Sequence, residues 1–366
     1  MKIGLVGYQG SGKSTLFEWL TGIRPDPALA HTAQSAMAPV PEPRVEGLAK
    51  IYHPKKITLA SLELVDTPGL SRTHEGNAAR LALAREAGCL VFVVAAFGRS
   101  DPMADLRSFD EDLLLADMEI VTSRMKRVED SLRKPLPKLE HENLLHEQAT
   151  LGKVLTSLEA GQPLREAAMT DAERKVTRSF RLFGEKSRVL VFNTPDDDPH
   201  PARLAALEEK GDSPHLCEAP SGPFRQMGTV PFFPPVITIP AGLELELARM
   251  SPEDRAEFER EMGVGGTDRD AILRTLLVTS GQRLFLTAGE KEVRTWLLPA
   301  GGTALDAAAA IHSDLARGFI RAEVINYPDL VRLGSEREIR SRHMIRQEPK
   351  DYVIQDDDVI LIRFSV

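Results

Sequence analysis

The sequence predicts an α/β fold: a parallel sheet whose strands alternate with helices, broken by a helical insertion and followed by a smaller α+β domain. Three observations predict it. Short apolar runs alternate with amphipathic stretches through the first hundred or so residues, the pattern of βαβ units. Apolar residues at heptad spacing then replace that alternation. Beyond Gln282, short alternating segments recur in the manner of a small mixed domain. At 366 residues and about 150 residues per domain, two or three domains fit.

In order, Ile3–Val6 reads as a buried strand, Lys13–Leu20 as a helix, and Ile57–Val65 as an alternating strand. Asn77–Ala87 reads as a helix and Leu90–Ala96 as a fully apolar strand. Met118, Val121, Met125, Val128 and Leu132 then form a 3-4 seam. Lys134-Pro135-Leu136-Pro137 must end that helix, because proline lacks the amide donor and clashes with the preceding turn. Leu144, Leu151, Leu155 and Leu158 make a second seam. The two readings open here are an antiparallel hairpin projecting from the body, or two helices packed flat on the sheet. Arg188–Asn193 and Val236–Ile239 restore the strand pattern, with turn-rich loops at Asp196-Asp197-Asp198-Pro199 and Ser213–Gly228, and Asp268–Thr279 reads as a helix. In the tail, strands are expected at Leu284–Thr287, Val293–Leu297, Arg321–Ile325 and Val359–Phe364, with one helix near Thr303–His312. The expected domains are 1–105 with 183–280, the helical insertion 106–182, and the tail domain 281–366.

Hydrophobic residues make up 42% and charged residues 27%, ordinary values for a soluble globular protein. A net charge of −8 argues against a strong overall basic field, and so against DNA as a partner. Of the two cysteines, Cys89 lies in an apolar run and reads as core, and Cys217 is far from it in sequence. No disulfide framework or zinc pattern is visible, which fits a reducing cytoplasm. Met1–Gly7 runs at once into a glycine-rich loop and is not expected to be a signal peptide. The Cys89–Phe97 run is too short to span a bilayer. The expectation is a soluble, cytoplasmic chain with no membrane partner.

Gly7-Tyr8-Gln9-Gly10-Ser11-Gly12-Lys13-Ser14 matches G-x-x-x-x-G-K-[ST] between a strand and a helix, the context the motif requires. Gly7, Gly10 and Gly12 let the backbone curl so that amides, including that of Ser11, face inward onto a phosphate at the helix N-terminus. Lys13 is expected on the β- and γ-phosphates, and Ser14 on Mg²⁺ through its hydroxyl. Thr15 completes the set in the helix's first turn. Asp66-Thr67-Pro68-Gly69 follows a strand in the D-x-x-G pattern. It puts a carboxylate near the metal shell and the Gly69 amide near the γ-phosphate, so loss of that phosphate releases the loop. Asn193-Thr194-Pro195-Asp196 occupies the place of N-K-x-D, whose Asp accepts two hydrogen bonds from guanine. A plain turn capping the next helix remains the alternative. Leu70 stands where Ras-like enzymes hold a water-orienting Gln, so turnover should be slow. His74 is a candidate substitute, against the alternative of an exposed loop residue, and Thr32 in the first switch is a candidate Mg²⁺ ligand.

Together these residues resemble the YchF/Obg-like ATPase family of translation-factor-class (TRAFAC-type) P-loop proteins, over nearly the whole chain. Pro39-Val40-Pro41-Glu42-Pro43-Arg44 is similar to that family's segment before the second strand. Asp101-Pro102-Met103-Ala104-Asp105-Leu106 is similar to the start of its helical insertion. Phe285–Trp296, Ile311-His312-Ser313-Asp314, Arg317–Val324 and Lys350–Asp356 resemble its C-terminal TGS domain. The resemblance implies a P-loop G domain, an inserted coiled-coil domain and a ubiquitin-like TGS domain. It implies ATP binding at least as good as GTP binding, slow hydrolysis with Mg²⁺, and association with the ribosome.

The chain departs from that pattern in several places. Gly10-Ser11-Gly12-Lys13-Ser14 replaces N-V-G-K-S, removing the Asn on which a potassium-assisted mechanism rests. D-I-A-G becomes Asp66-Thr67-Pro68-Gly69, and G-x-G-x-G-N shrinks to Glu75-Gly76-Asn77. The segment between Phe97 and Asp101 is shorter than usual and offers no counterpart of the family's loop histidine. The base motif ends in Asp196 where the family has Glu. Ala241-Gly242 stands for Ala-Lys at the fifth motif, a further expected nucleotide contact. These differences describe a divergent paralogue. In the tail, Arg332, Arg337, Arg340, Arg342 and Arg346 alternate with Glu336 and Glu338. That pattern reads either as an rRNA contact or as a charge-laced exposed helix. The expected function is a slow ATP- or GTP-hydrolysing switch associated with the ribosome, acting as a monomer. The second reading is a nucleotide-gated ribosome- or RNA-binding module with negligible catalysis. A small-molecule kinase is disfavoured by the D-x-x-G element, the base motif and the tail.

Overall fold

The computed structural model describes residues 1–98, 100–161, 164, 167–197, 234–262 and 266–365. The expected loop at Ser213–Gly228, with Cys217, and Asp198 lie outside these. The chain divides into two compact units, Met1–Ala36 with Leu64–Thr267, and Met37–Glu63 with Asp268–Val366.

The strands before the tail are β1 (Lys2–Val6), β2 (Gln34–Pro39), β3 (Ile57–Thr58), β4 (Ser61–Asp66), β5 (Cys89–Ala95), β6 (Ser187–Asn193) and β7 (Val236–Ile239). Six of them form one sheet in the order β2-β4-β1-β5-β6-β7. β1, β5, β6 and β7 run parallel, with Ile3 opposite Cys89 and Leu90 opposite Arg188. Every residue of β5 is buried, as expected of a strand with both faces covered. Its Cys89 is a buried free thiol. Helix α1 (Lys13–Thr21) begins where the glycine loop ends, and turns Leu16, Phe17 and Leu20 inward.

The expected strand Ile57–Val65 is instead two. Only β4 belongs to this sheet, whereas Ile57 and Thr58 of β3 pair with Val293 and Arg294 in the other sheet. Between them, the Ala60 amide donates to Thr295 Oγ1 at 2.7 Å, so the backbone leaves one ladder before entering the next. An unforeseen helix, α2 (Arg44–Tyr52), precedes this segment.

The helical insertion is longer than the heptad seam suggested. Helix α4 spans Pro102–Leu132, after α3 (Asn77–Ala84). Asp101 caps it, accepting from the amides of Met103 and Ala104, and Pro102 sits in the first turn, a position where its missing N–H is harmless. Helix α5 (Lys138–Glu159) returns after the proline turn. The structure combines the two open readings. The root of α4 lies on the sheet, where the Phe109 ring stacks on Phe92 at 3.7 Å between centroids. Beyond the root, Val121 and Val128 pack with Leu151, Val154 and Leu158 in a core of their own. Asp117, 1% exposed, anchors the junction. It accepts from the amides of Phe183 and Gly184 and pairs with Arg85, so the buried charge is fully partnered.

The tail sheet, built on β8 (Gln282–Thr287), β9 (Val293–Pro299), β10 (Phe319–Asn326), β11 (Arg346–Glu348) and β12 (Asp358–Phe364), has the order β11-β10-β12-β8-β9-β3. β8 and β12 run parallel while the β8–β9 and β10–β12 pairs are antiparallel. The helix Ala304–Ile311 packs its alanines against Phe285 and Val324. Where one helix was expected there are four, since short helices also form at Ser313–Arg317, Tyr327–Leu333 and Glu336–Ser341. Among the described residues no helix is long and apolar enough to cross a membrane.

Candidate functional site

The loop between β1 and α1 curls as its glycines allow. Gly7, Gly10 and Gly12 have φ of 151°, 78° and 91°. Gly12 is the N-cap of α1, so the free amides of the first helical turn open at the end of the curl, where partial positive charge favours an anion. Ser11 is 1% exposed, and its Oγ has no hydrogen-bond partner among the described residues.

Lys13 is 6% exposed and its Nζ donates to Tyr8 O at 3.0 Å. Burial pulls its pKa down to about 8; the Asp66 carboxylate opposes this and the Arg72 charge adds to it. A buried ammonium with few donors engaged is poised for an anion, which would restore the ordinary value.

Ser14 Oγ donates to Asp66 Oδ2 at 2.6 Å. Asp66 is 7% exposed, and its Oδ1 is buried without a hydrogen-bond partner among the described residues. Burial pushes the Asp66 pKa up, against the Ser14 hydrogen bond and the Lys13 charge. A hydroxyl and an under-satisfied carboxylate side by side, both hard oxygen donors, fit a small divalent cation that takes its remaining ligands from water and phosphate.

The D-x-x-G segment is stitched to the glycine loop. Leu70 N donates to Gly7 O and Gln9 N donates to Leu70 O, both at 2.9 Å. A methyl group placed at Gly69 would stand 2.9 Å from Gln9 Cα and 3.0 Å from Lys13 Nζ. Only glycine passes this close, and Gly69, Gln9 and Lys13 Nζ therefore meet at one corner.

Asn193 and Asp196 close the other side. Asn193 Nδ2 donates to Ser11 O at 3.1 Å, while its Oδ1 accepts from Ala241 N at 3.0 Å. Asp196 Oδ1 accepts from Leu243 N at 3.3 Å. A cleft of about 620 Å³ results, lined by Gly10, Gly12, Lys13, Ser14, Thr15, Phe97, Asn193 to Asp196 and Gly242. Thr194 is 2% exposed, with its Oγ1 unpartnered among the described residues.

Two residues singled out from the sequence stand apart from this cleft. His74, with φ of 63°, turns its Nδ1 to Asp112 Oδ1 at 2.7 Å. Asp112 also accepts from Asn77 Nδ2 at 3.1 Å and from the Tyr8 hydroxyl at 3.3 Å. Thr32 is exposed, and its hydroxyl donates to Leu29 O at 2.8 Å. Sequence reasoning passed over three residues. Tyr8 ties the glycine loop to α4 through Asp112. Asn77 bridges the backbone of Ser71 with both ends of its amide. Arg72 pairs with Asp105 while its Cζ lies 5.3 Å from the centroid of the Tyr8 ring. A cation placed just after D-x-x-G was the available signal for Arg72. The partners of Tyr8 and Asn77 lie on α4 and had none.

Comparison with known proteins covers both ends of the chain. Residues 2–124 match the family model described as 50S ribosome-binding GTPase, and residues 283–365 match the YchF-GTPase C-terminal model, described as a protein of unknown function. The chain is 30% identical over 386 residues to the ribosome-binding ATPase YchF of Haemophilus ducreyi, covering 100% of this chain and 99% of that one. It is 30% identical to the Bacillus subtilis protein of the same name, covering 99% of each. Against Obg-like ATPase 1 of Oryza sativa it is 30% identical, covering 100% of this chain and 92% of the other. The solved structure of the Schizosaccharomyces pombe YchF GTPase superimposes with a TM-score of 0.81 at 24% identity, over 99% of this chain and 97% of that one. That structure shares the fold; the sequence identity, sustained from end to end, shows that the chain belongs to the YchF family.

Proposed function

We propose that this chain binds a nucleoside triphosphate in the cleft beside α1 and slowly hydrolyses its β–γ phosphoanhydride bond, as a switch associated with the ribosome. One observation carries the reading: buried Lys13 and Asp66 and the more exposed Ser14 converge at the mouth of a loop curled by three glycines at positive φ. No other common ligand asks for that combination of amide nest, ammonium and paired metal donors. Gly7, Gly10, Ser11, Gly12 and Thr15 take the phosphates with Lys13. Asn193, Asp196, Ala241 and Gly242 bound the base and ribose end. Ser14 and Asp66 hold Mg²⁺, which when bound neutralises phosphate charge. The nucleotide-binding domain is assigned to 1–105 with 183–280, the helical insertion to 106–182 and the TGS domain to 281–366.

Slow turnover follows from the residues present. Leu70 cannot orient a water, and His74 is engaged by Asp112; a catalytic His74 would have to exchange that partner. Gly69 fills the corner beside Lys13, so admitting a third phosphate requires the D-x-x-G loop to lift, breaking the two Leu70 hydrogen bonds. Thr32 would reach the metal only with a matching movement of the 26–33 loop. These are the two switch movements on which a γ-phosphate sensor depends.

Ribosome association rests on the names borne by the relatives, as does a cytoplasmic location. An RNA contact through the tail arginines competes with existing pairs: Arg332 with Asp329, Arg340 with Glu336, Arg342 with Glu338, and Arg346 with Asp358. Calorimetric titration of wild type and Lys13→Ala with Mg-ATP and Mg-GTP tests the phosphate reading. Wild type should bind, and the variant should lose most of that affinity; unaltered binding by the variant sinks the assignment. Phosphate release with and without ribosomes and K⁺ then separates a slow hydrolase from a gated binding module.

A further inference from the structure

The mechanism so far has no group that meets charge developing on the terminal phosphate beyond Lys13 and the metal. Arg72 is placed to be one. It follows Gly69 by three residues on the same stitched loop. Its guanidinium Nη1 is 3.4 Å from Gln9 O, and its Cζ lies 5.3 Å from the centroid of the Tyr8 ring. Gln9 is the residue whose Cα meets Gly69 and Lys13 Nζ at one corner. The guanidinium therefore borders the corner that a third phosphate must occupy. The rest of its fork is engaged by Asp105 in the first turn of α4, through Nε at 2.9 Å and Nη2 at 2.6 Å. Asp105 is 8% exposed and fixed, whereas the Arg72 side chain is 49% exposed and can move.

We propose that Arg72 is a catalytic residue, an arginine supplied by the chain itself, held on Asp105 until the terminal phosphate arrives. In the reaction a water oxygen bonds to the γ-phosphorus as the bond to the β–γ bridging oxygen breaks. That electron pair stays on the departing diphosphate, and the water's proton leaves with the phosphate product. Arg72 stays protonated throughout and donates its N–H groups to the γ-oxygens and the bridging oxygen, where charge grows. A bidentate fork suits two phosphate oxygens as well as it suits the Asp105 carboxylate, so the exchange is between like partners. The inference rests on the nucleotide reading above and deepens it.

The test compares Arg72→Ala with Asp105→Asn, both of which break the same ion pair. Turnover of Mg-ATP and Mg-GTP is measured alongside affinity for a non-hydrolysable triphosphate, and capture of the diphosphate with aluminium fluoride is read by calorimetry. Arg72→Ala should lower turnover and aluminium fluoride capture by about tenfold or more, with triphosphate affinity within about threefold. Free guanidinium should recover part of the loss. Asp105→Asn, which releases the arginine, should not share it. If the two variants move together, within about threefold of each other, the pair is only a strut and the proposal falls. It also falls if wild type binds triphosphate yet shows neither turnover nor aluminium fluoride capture. Failure of wild type to bind any nucleotide would instead overturn the cleft assignment itself.

Discussion

Asn193 holds Ser11: its side-chain amide donates to the Ser11 carbonyl at 3.1 Å while its oxygen accepts from the Ala241 amide at 3.0 Å. One buried side chain thus fastens the glycine loop to the turn after β7, across the cleft it lines. The Asn proposed to bound the base end of the cleft is also the one that braces the loop.

This bracing makes a stability prediction. Asn193→Ala leaves the Ser11 carbonyl and the Ala241 amide without partners in a buried place, at a cost of about 1–3 kcal/mol. Chemical denaturation of the nucleotide-free protein should show that loss, and Mg-nucleotide affinity should fall with it. Gly12→Ala attacks the same contact from the other side. Its Cβ would stand 2.1 Å from Asn193 Nδ2, on a backbone at φ 91° that disfavours any side chain. In the double variant Gly12→Ala/Asn193→Ala the collision is gone, so the two losses should sum to less than their separate values. Full additivity contradicts the contact.

Asp196 carries the base prediction. As an ionised carboxylate it only accepts hydrogen bonds. Guanine offers two donors on its Watson–Crick edge, whereas adenine offers one beside an acceptor nitrogen. Asp196 lines the cleft and is steadied from behind by Leu243 N at 3.3 Å. Asp196→Ala should therefore weaken GTP binding about tenfold, the worth of a charged hydrogen bond, and leave ATP within about threefold. Side-by-side titrations decide it, and equal affinities before and after the change make Asp196 a turn residue alone.

What was legible in the sequence is what is local. The strand, glycine loop and helix from Lys2 to Thr21 announce themselves because an apolar run, three glycines and a Lys-Ser pair are contiguous. The heptad seam gave the hairpin, since Val121, Val128, Leu151 and Leu158 meet the same core. Long-range contacts left no local trace. Asn193 reaches Ser11 from far along the chain, and Arg72, in a turn, finds Asp105 on α4. The alternation of Ile57–Val65 was real, but the partner of β3 is β9, so one pattern was shared between two sheets. Three tail helices have 5, 7 and 6 residues, too few turns for a 3.6-residue period to show.

Glu173 supplies a prediction in pH. Helix α6 (Asp171–Thr177) follows the hairpin, and its N-cap is a reciprocal box. Thr170 N and Oγ1 donate to Glu173 Oε2 at 2.8 and 3.0 Å, and Glu173 N donates to Thr170 Oγ1 at 3.3 Å. Lys153 of α5 donates to the other carboxylate oxygen. The Lys153 hydrogen bond first, then those from Thr170, lower the Glu173 pKa from its ordinary 4.5 to about 2. A depressed carboxylate pKa means the unfolded chain binds the proton more readily. The stabilisation is therefore complete above about pH 4.5 and is lost as pH falls toward 2. Glu173→Gln keeps the shape and removes the charge. Melting temperatures of both proteins should differ by a constant margin at neutral pH, with the variant lower. The margin should then close as the buffer is taken from about pH 4.5 toward 2. Other acid-titrating groups act on both proteins alike and cancel in the difference. A margin that persists unchanged to the acid end means that the carboxylate's charge does not hold α6 to α5.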